Sequence, residues 1–80
     1  MPASLSGWVY YRSVNTYGGN LSATKVSLRP QADSVVVEIS GDTGRLKLIR
    51  LIVPRPTASS LGAMLLSAGA GGAGTTELHL

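Results

Sequence analysis

The sequence predicts a mainly β protein: a small antiparallel β-sandwich or open barrel of two hairpins, with a short C-terminal helix and a last strand as candidate additions. Three observations carry this. The β-branched run Val35-Val36-Val37-Glu38-Ile39 leads into Gly41-Asp42-Thr43-Gly44 and then a second apolar run over 45–53, and such runs bounded by a Gly/Asp cluster read as strand and turn. Two further runs, 7–14 and 21–28, flank Gly18-Gly19. Composition also changes at Pro54, with Val, Ile, Leu, Tyr and Thr dominating before it and Ala, Gly, Ser and Leu after it. Residues 1–54 are therefore read as an antiparallel β domain. Residues 55–80 are read as a short helix or an apolar Gly/Ala-rich arm, either part of the same domain or an assembly arm.

The hairpin over 34–53 is the clearest element. A four-residue loop at 41–44 sets Ser40 against Arg45, Ile39 against Leu46 and Val37 against Leu48. Glu38 then meets Lys47 on the opposite face, a pairing worth about 0.2–1 kcal/mol. Arg45 and Lys47 share a parity that Arg50 breaks. Two readings restore order: a β-bulge near Ile49 that puts Arg45, Lys47 and Arg50 in one row, or a strand end buried on both faces with Arg50 reaching out along its stem.

In the earlier hairpin the turn falls at 15–20, where Gly18 and Gly19 can take positive φ. Alternation places Val9, Tyr11, Thr24, Val26 and Leu28 on one face and Trp8, Tyr10, Arg12 and Lys25 on the other. The segment 29–33 is read as a linker closed off by Pro30. After the breaker Pro54-Arg55-Pro56, Thr57 is a candidate cap for a helix over 58–68, with Leu61, Met64, Leu65 and Ala68 at helical spacing and Gly62 weakening it. The Gly/Ala run 69–74 reads as flexible low complexity, and 75–80 as a last strand.

Composition bounds the function. Eighty residues make one domain at most, and one that buries only about 60–65% of its unfolded surface, so a partner subunit or larger assembly adds to its stability. There are no cysteines, hence no disulfide and no thiolate metal site; a reducing compartment or a particle assembled in one fits, and no signal peptide is read at the start. The net charge of +3 and sequence pI near 9.8 are a mild bias towards anionic partners. Asn20-Leu21-Ser22 matches a glycosylation sequon, a motif common by chance. Residues 56–76 carry no charge, but five of these twenty-one are Gly and six are Ser or Thr, which speaks against a membrane span. Val53-Pro54-Arg55-Pro56-Thr57 with the apolar stretch behind it resembles the sorting tails of some exported bacterial proteins. Those tails carry an acid between the prolines and end in arginines, whereas this chain has Arg55 there and ends Glu77-Leu78-His79-Leu80, so the resemblance implies nothing further.

Catalytic sets are missing from the pattern. The four acids, Asp33, Glu38, Asp42 and Glu77, include no pair placed as general acid and base. His79, the single histidine, lies next to the last residue, a poor place for a rigid triad or a metal ligand. Gly69-Ala70-Gly71-Gly72-Ala73-Gly74 matches G-x-G-x-x-G in spelling, but the motif works only between a strand and a helix, and six residues remain after it. No cofactor and no metal are expected.

Two function classes remain. The first is a non-enzymatic structural or assembly module acting through protein–protein contacts, with itself or a larger array as partner, as in a virion or phage component. The second is a small β-barrel that binds single-stranded DNA or RNA, with Trp8 and Tyr10 stacking on bases and Arg12, Lys25, Arg29, Arg45, Lys47 and Arg50 holding the backbone. Trp and Tyr are equally at home in protein interfaces, which favours the first. A regulator acting by edge-strand pairing is a third option.

Overall fold

The computed structural model describes residues 4–12, 16–42 and 44–80, the side chains of 11, 12, 16 and 17 excepted. It is mainly β: the described residues form five strands in two antiparallel sheets, with no closed barrel among them. Strands β1 (Leu5–Arg12) and β2 (Thr16–Ala23) form the first sheet. Strands β3 (Lys25–Pro30), β4 (Ser34–Ser40) and β5 (Leu48–Pro54) form the second as a meander, with β4 in the centre. Helix α1 (Arg55–Gly69) follows β5 directly.

The run 21–28 is therefore not one strand. It breaks at Thr24: β2 ends at Ala23, and Lys25 opens β3 opposite Ser40. Gly18 and Gly19 lie within β2, opposite Tyr10 and Val9, rather than in a turn; the expected turn residue Asn15 and strand end 13–14 lie outside the described residues. The supposed linker 29–33 is the tight β3–β4 hairpin, closed by Gln31 N–H donating to the Ser34 carbonyl (2.8 Å) around Ala32 and Asp33. Neither turn residue has positive φ, although the turns that best match strand twist require it. Arg55 supplies support from outside. Its Nε donates to the carbonyls of Gln31 (2.8 Å) and Ala32 (3.1 Å), its Nη2 also donates to Gln31, and its backbone N–H donates to Asp33 (3.1 Å).

The β4–β5 register also corrects the expectation. Ser40 pairs with Leu48, Ile39 with Ile49, Glu38 with Arg50 and Val37 with Leu51, three residues away from the anticipated alignment. An odd shift exchanges the faces of one strand relative to the other. The loop is longer because the first sheet captures it. Leu46 N–H donates to the Asn20 carbonyl (3.2 Å), Arg45 N–H to Asn20 Oδ1 (3.3 Å), and Gly44, at φ +94°, sits against the Asn20 backbone. Gly41 N–H closes the loop on the Lys47 carbonyl (3.0 Å). Arg45 and Lys47 thus leave the strand, the parity conflict disappears, and β4 and β5 pair from end to end without a bulge. Leu51 and Ile52, on opposite faces, are 48% and 72% exposed, so the strand end is not buried on both faces either.

Helix α1 begins three residues before the predicted 58, with Pro54 at its N-cap and no side-chain cap from Thr57. Pro56 fits the first turn, where a missing N–H breaks no bond. The Gly run ends the helix: Gly71, at φ +110°, donates to the Ala68 carbonyl (3.3 Å) and Gly72 to Ser67 (3.1 Å), the paired bonds of a Schellman cap. No strand forms over 75–80. No described helix is long and apolar enough to cross a membrane.

The core is small. Among the described residues Leu21, Val36 and Val53 are the buried apolar side chains, and α1 buries none. A folded protein of 8.3 kDa exposes about 4,600 Å², whereas this chain exposes 6489 Å². Its radius of gyration is 14.4 Å against about 12 Å for a compact chain of this length.

Candidate functional site

Strand alternation gives the three-stranded sheet two unlike faces. One is wholly apolar and runs in three rungs straight across the strands: Val26–Ile39–Ile49, Leu28–Val37–Leu51 and Pro30–Val35–Val53. The end rungs are partly covered: Ile39 and Ile49 are half-buried and Val53 is buried, while Val26 is 51% exposed. At the Gly41 end of β4 the β2 backbone comes so close that a Cβ on Gly41 would collide with the Ser22 carbonyl, and at the other end Val53 is buried. The middle rung stays open, with Leu28 66% and Leu51 48% exposed. An apolar sheet face of this kind normally has a second layer packed on it.

The other face carries charge. Glu38 accepts a hydrogen bond from Arg50 Nε (2.9 Å), Arg50 Nη2 forms an ion pair with the same oxygen (2.8 Å), and Arg29 Nη1 lies 3.8 Å from its second oxygen. The Arg50 hydrogen bond holds the carboxyl below the usual carboxylate value, against desolvation that raises it, and the charges of Arg50, Arg29 and Lys25 lower it further. Three cations thus surround one anion. Lys47, the partner expected for Glu38, instead donates to the Asp42 carbonyl (2.7 Å).

The predicted aromatic and basic residues are distributed over separate elements. Trp8 and Tyr10 stand on β1, 54% and 74% exposed, with ring centroids 6.0 Å apart and planes tilted by 54°. The Trp8 indole lies across Gly18, where a Cβ would clash with it; a bare glycine in a strand gives a ring room to lie flat. Arg12 ends β1 opposite Thr16. Lys25, Arg29 and Arg50 belong to the second sheet, and Arg45 and Lys47 to the loop. The single hairpin face expected to unite Trp8, Tyr10, Arg12 and Lys25 does not form, because β2 ends before Lys25.

Leucines that the sequence reading used only for helical spacing, or not at all, matter more to the surface. Leu61, Leu65 and Leu66 on α1 are 46%, 73% and 76% exposed. Half-buried helix positions are confined to Thr57, Ala58 and Met64, so most of α1 stands clear. A groove of about 760 Å³ lies between β5, the start of α1 and residues 78–80, lined by Leu51, Val53, Leu61 and Leu78 among others. His79 lies 3.5 Å from Glu77, both exposed, and among the described residues no three His, Cys, Asp or Glu gather. Compared with protein-family models, curated proteins and solved structures, the chain matches none of them.

Proposed function

We propose that this chain is a non-enzymatic structural or assembly module that works through protein–protein contacts, foremost with copies of itself. One observation carries the reading. The single chain exposes roughly 1,900 Å² more than a compact protein of its mass, and its open surface includes uncharged elements: an apolar rung across a sheet and a helix with no buried side chain. A standard interface removes about 800 Å² per partner and obligate dimers remove more, so the excess is of interface size. Light scattering after size exclusion at micromolar concentration tests it. A defined dimer or higher oligomer is expected, and a well-folded 8.3 kDa species at tens of micromolar would overturn it.

The exposed, tilted Trp8–Tyr10 pair supports a second reading, single-stranded nucleic-acid binding, since neighbouring rings on a strand offer stacking platforms. That reading requires oligonucleotide to quench the single tryptophan, with an affinity that falls steeply as salt rises. An emission unchanged at low salt would remove it.

A further inference from the structure

We propose that two copies of this chain exchange their helices, α1 of each lying on the apolar face of the other's three-stranded sheet. This inference rests on the assembly reading above and specifies the partner surface. After Arg55 the helix carries no charged residue, and its exposed Leu61, Leu65 and Leu66 mark an interaction surface that suits an uncharged cover. Among the described residues the apolar face of the three-stranded sheet is such a surface of matching size. Helix α1, 15 residues long, measures about 22 Å, and β4, at seven residues, runs about 23 Å. The open rung Leu28–Val37–Leu51 crosses the middle of that face, and Leu61 and Leu65, one turn apart, are the knobs that would fill it.

The chain's own helix reaches only the edge of this face, where Leu61 and Leu51 line one groove, and it leaves Leu28 66% and Leu51 48% exposed. Arg55 ties the first turn to the β3–β4 hairpin through the carbonyls of Gln31, Ala32 and Asp33. Beyond Ala58 the helix is exposed apart from Met64, beside which residues 72–74 and 76 line the same small hollow. Reciprocal exchange buries a helix face and a sheet face on each chain in one twofold interface, which closes without generating a filament. The roughly 1,900 Å² of surplus surface per chain falls within the range of an obligate homodimer, about 1,000–2,500 Å² per partner.

The chain has no cysteine, so engineered thiols report without background. Heavy-isotope copies carrying Leu28→Cys are mixed with light copies carrying Leu65→Cys, oxidised and weighed by mass spectrometry, with sedimentation run in parallel. The expected product is the mixed heavy–light disulfide. Leu65→Asp, at a site exposed in the single chain, should raise the dimer dissociation constant about 30-fold or more, with native circular dichroism kept at concentrations where the dimer still forms and helical signal lost where it dissociates. A dimer by sedimentation in which only like-with-like disulfides form overturns the exchange and leaves the assembly reading standing. A monomer overturns both, and so does a monomer that binds vesicles of phosphatidylcholine and phosphatidylserine. If the cysteine variants fold poorly, intermolecular NOEs between Leu28 and Leu65 methyls in a labelled–unlabelled mixture of the native chain decide it: their presence supports the exchange, and their absence from a dimer overturns it.

Discussion

Two glycines on the first sheet should respond to the same substitution with opposite signs. Replacing a strand glycine by alanine ordinarily stabilises by about 0.5–1 kcal/mol, because less backbone freedom is lost on folding. Gly7, opposite Leu21, has nothing within 4 Å of an added Cβ, so Gly7→Ala should gain that amount. At Gly18 the added Cβ would sit on the Trp8 indole, 2.7 Å from Cε2 and closer still to Nε1. The ring must swing away. Trp8 is 54% exposed, so its covered half amounts to about 115 Å², an upper bound of about 3 kcal/mol at 25 cal/mol/Å². Losing half of that contact costs about 1.5 kcal/mol, which outweighs the alanine gain and leaves Gly18→Ala destabilised by about 0.5–1 kcal/mol. Urea titrations followed by circular dichroism measure both variants, and the emission of the single tryptophan should shift to the red in Gly18→Ala alone. A Gly18→Ala variant as stabilised as Gly7→Ala, with unchanged emission, would refute the packing of Trp8 on Gly18.

Other perturbations follow from individual contacts. Arg55→Ala frees the Gln31 and Ala32 carbonyls; a loss of about 1 kcal/mol is expected for these exposed bonds, with amide exchange at Gln31 accelerated, and Arg55→Lys should recover only part of it because one ammonium cannot span the set. Asn20→Ala removes the acceptor for Arg45 N–H and should cost about 0.5–1 kcal/mol, seen as a lower denaturant midpoint and faster exchange at Arg45. Glu38 has a lowered pKa in the fold, so it binds fewer protons folded than unfolded. Its contribution is present above the ordinary value of 4.5 and is lost as pH falls through the folded value. Denaturation midpoints measured downward from pH 6 should show this loss in the native chain and a shallower one in Glu38→Gln.

The strands were legible wherever local composition decided them. The run 34–40, the return ending at Val53 and the alternation of Trp8, Val9 and Tyr10 all follow from β-branched or aromatic residues and a period of two. What the sequence hid was decided by contacts between distant segments. The β4–β5 register depends on Asn20, more than twenty residues upstream, which captures Gly44, Arg45 and Leu46 and lengthens the loop. The β3–β4 hairpin has neither Asn-Gly nor Asp-Gly at its turn and relies on Arg55, a residue read only as part of a breaker. The division at Thr24 left no mark in composition, because Ala23-Thr24-Lys25 continues an alternating pattern. The basic residues were identifiable as surface residues, but their grouping depended on register: an odd shift placed Arg50, not Lys47, on Glu38. The helix was visible in its leucine spacing, and its end was visible in the glycines once these are read as a cap rather than as a loose arm.

The dependence of thermal stability on protein concentration tests most directly whether this fold is completed by a second copy. A dimer gains about 2.7 kcal/mol for each hundredfold rise in concentration, so the melting midpoint should climb by about 5–10 °C between 1 and 100 µM, as orders of magnitude. A sharp melting transition whose midpoint stays fixed over that range would mean that the chain is stable alone and that its open apolar faces serve no self-assembly.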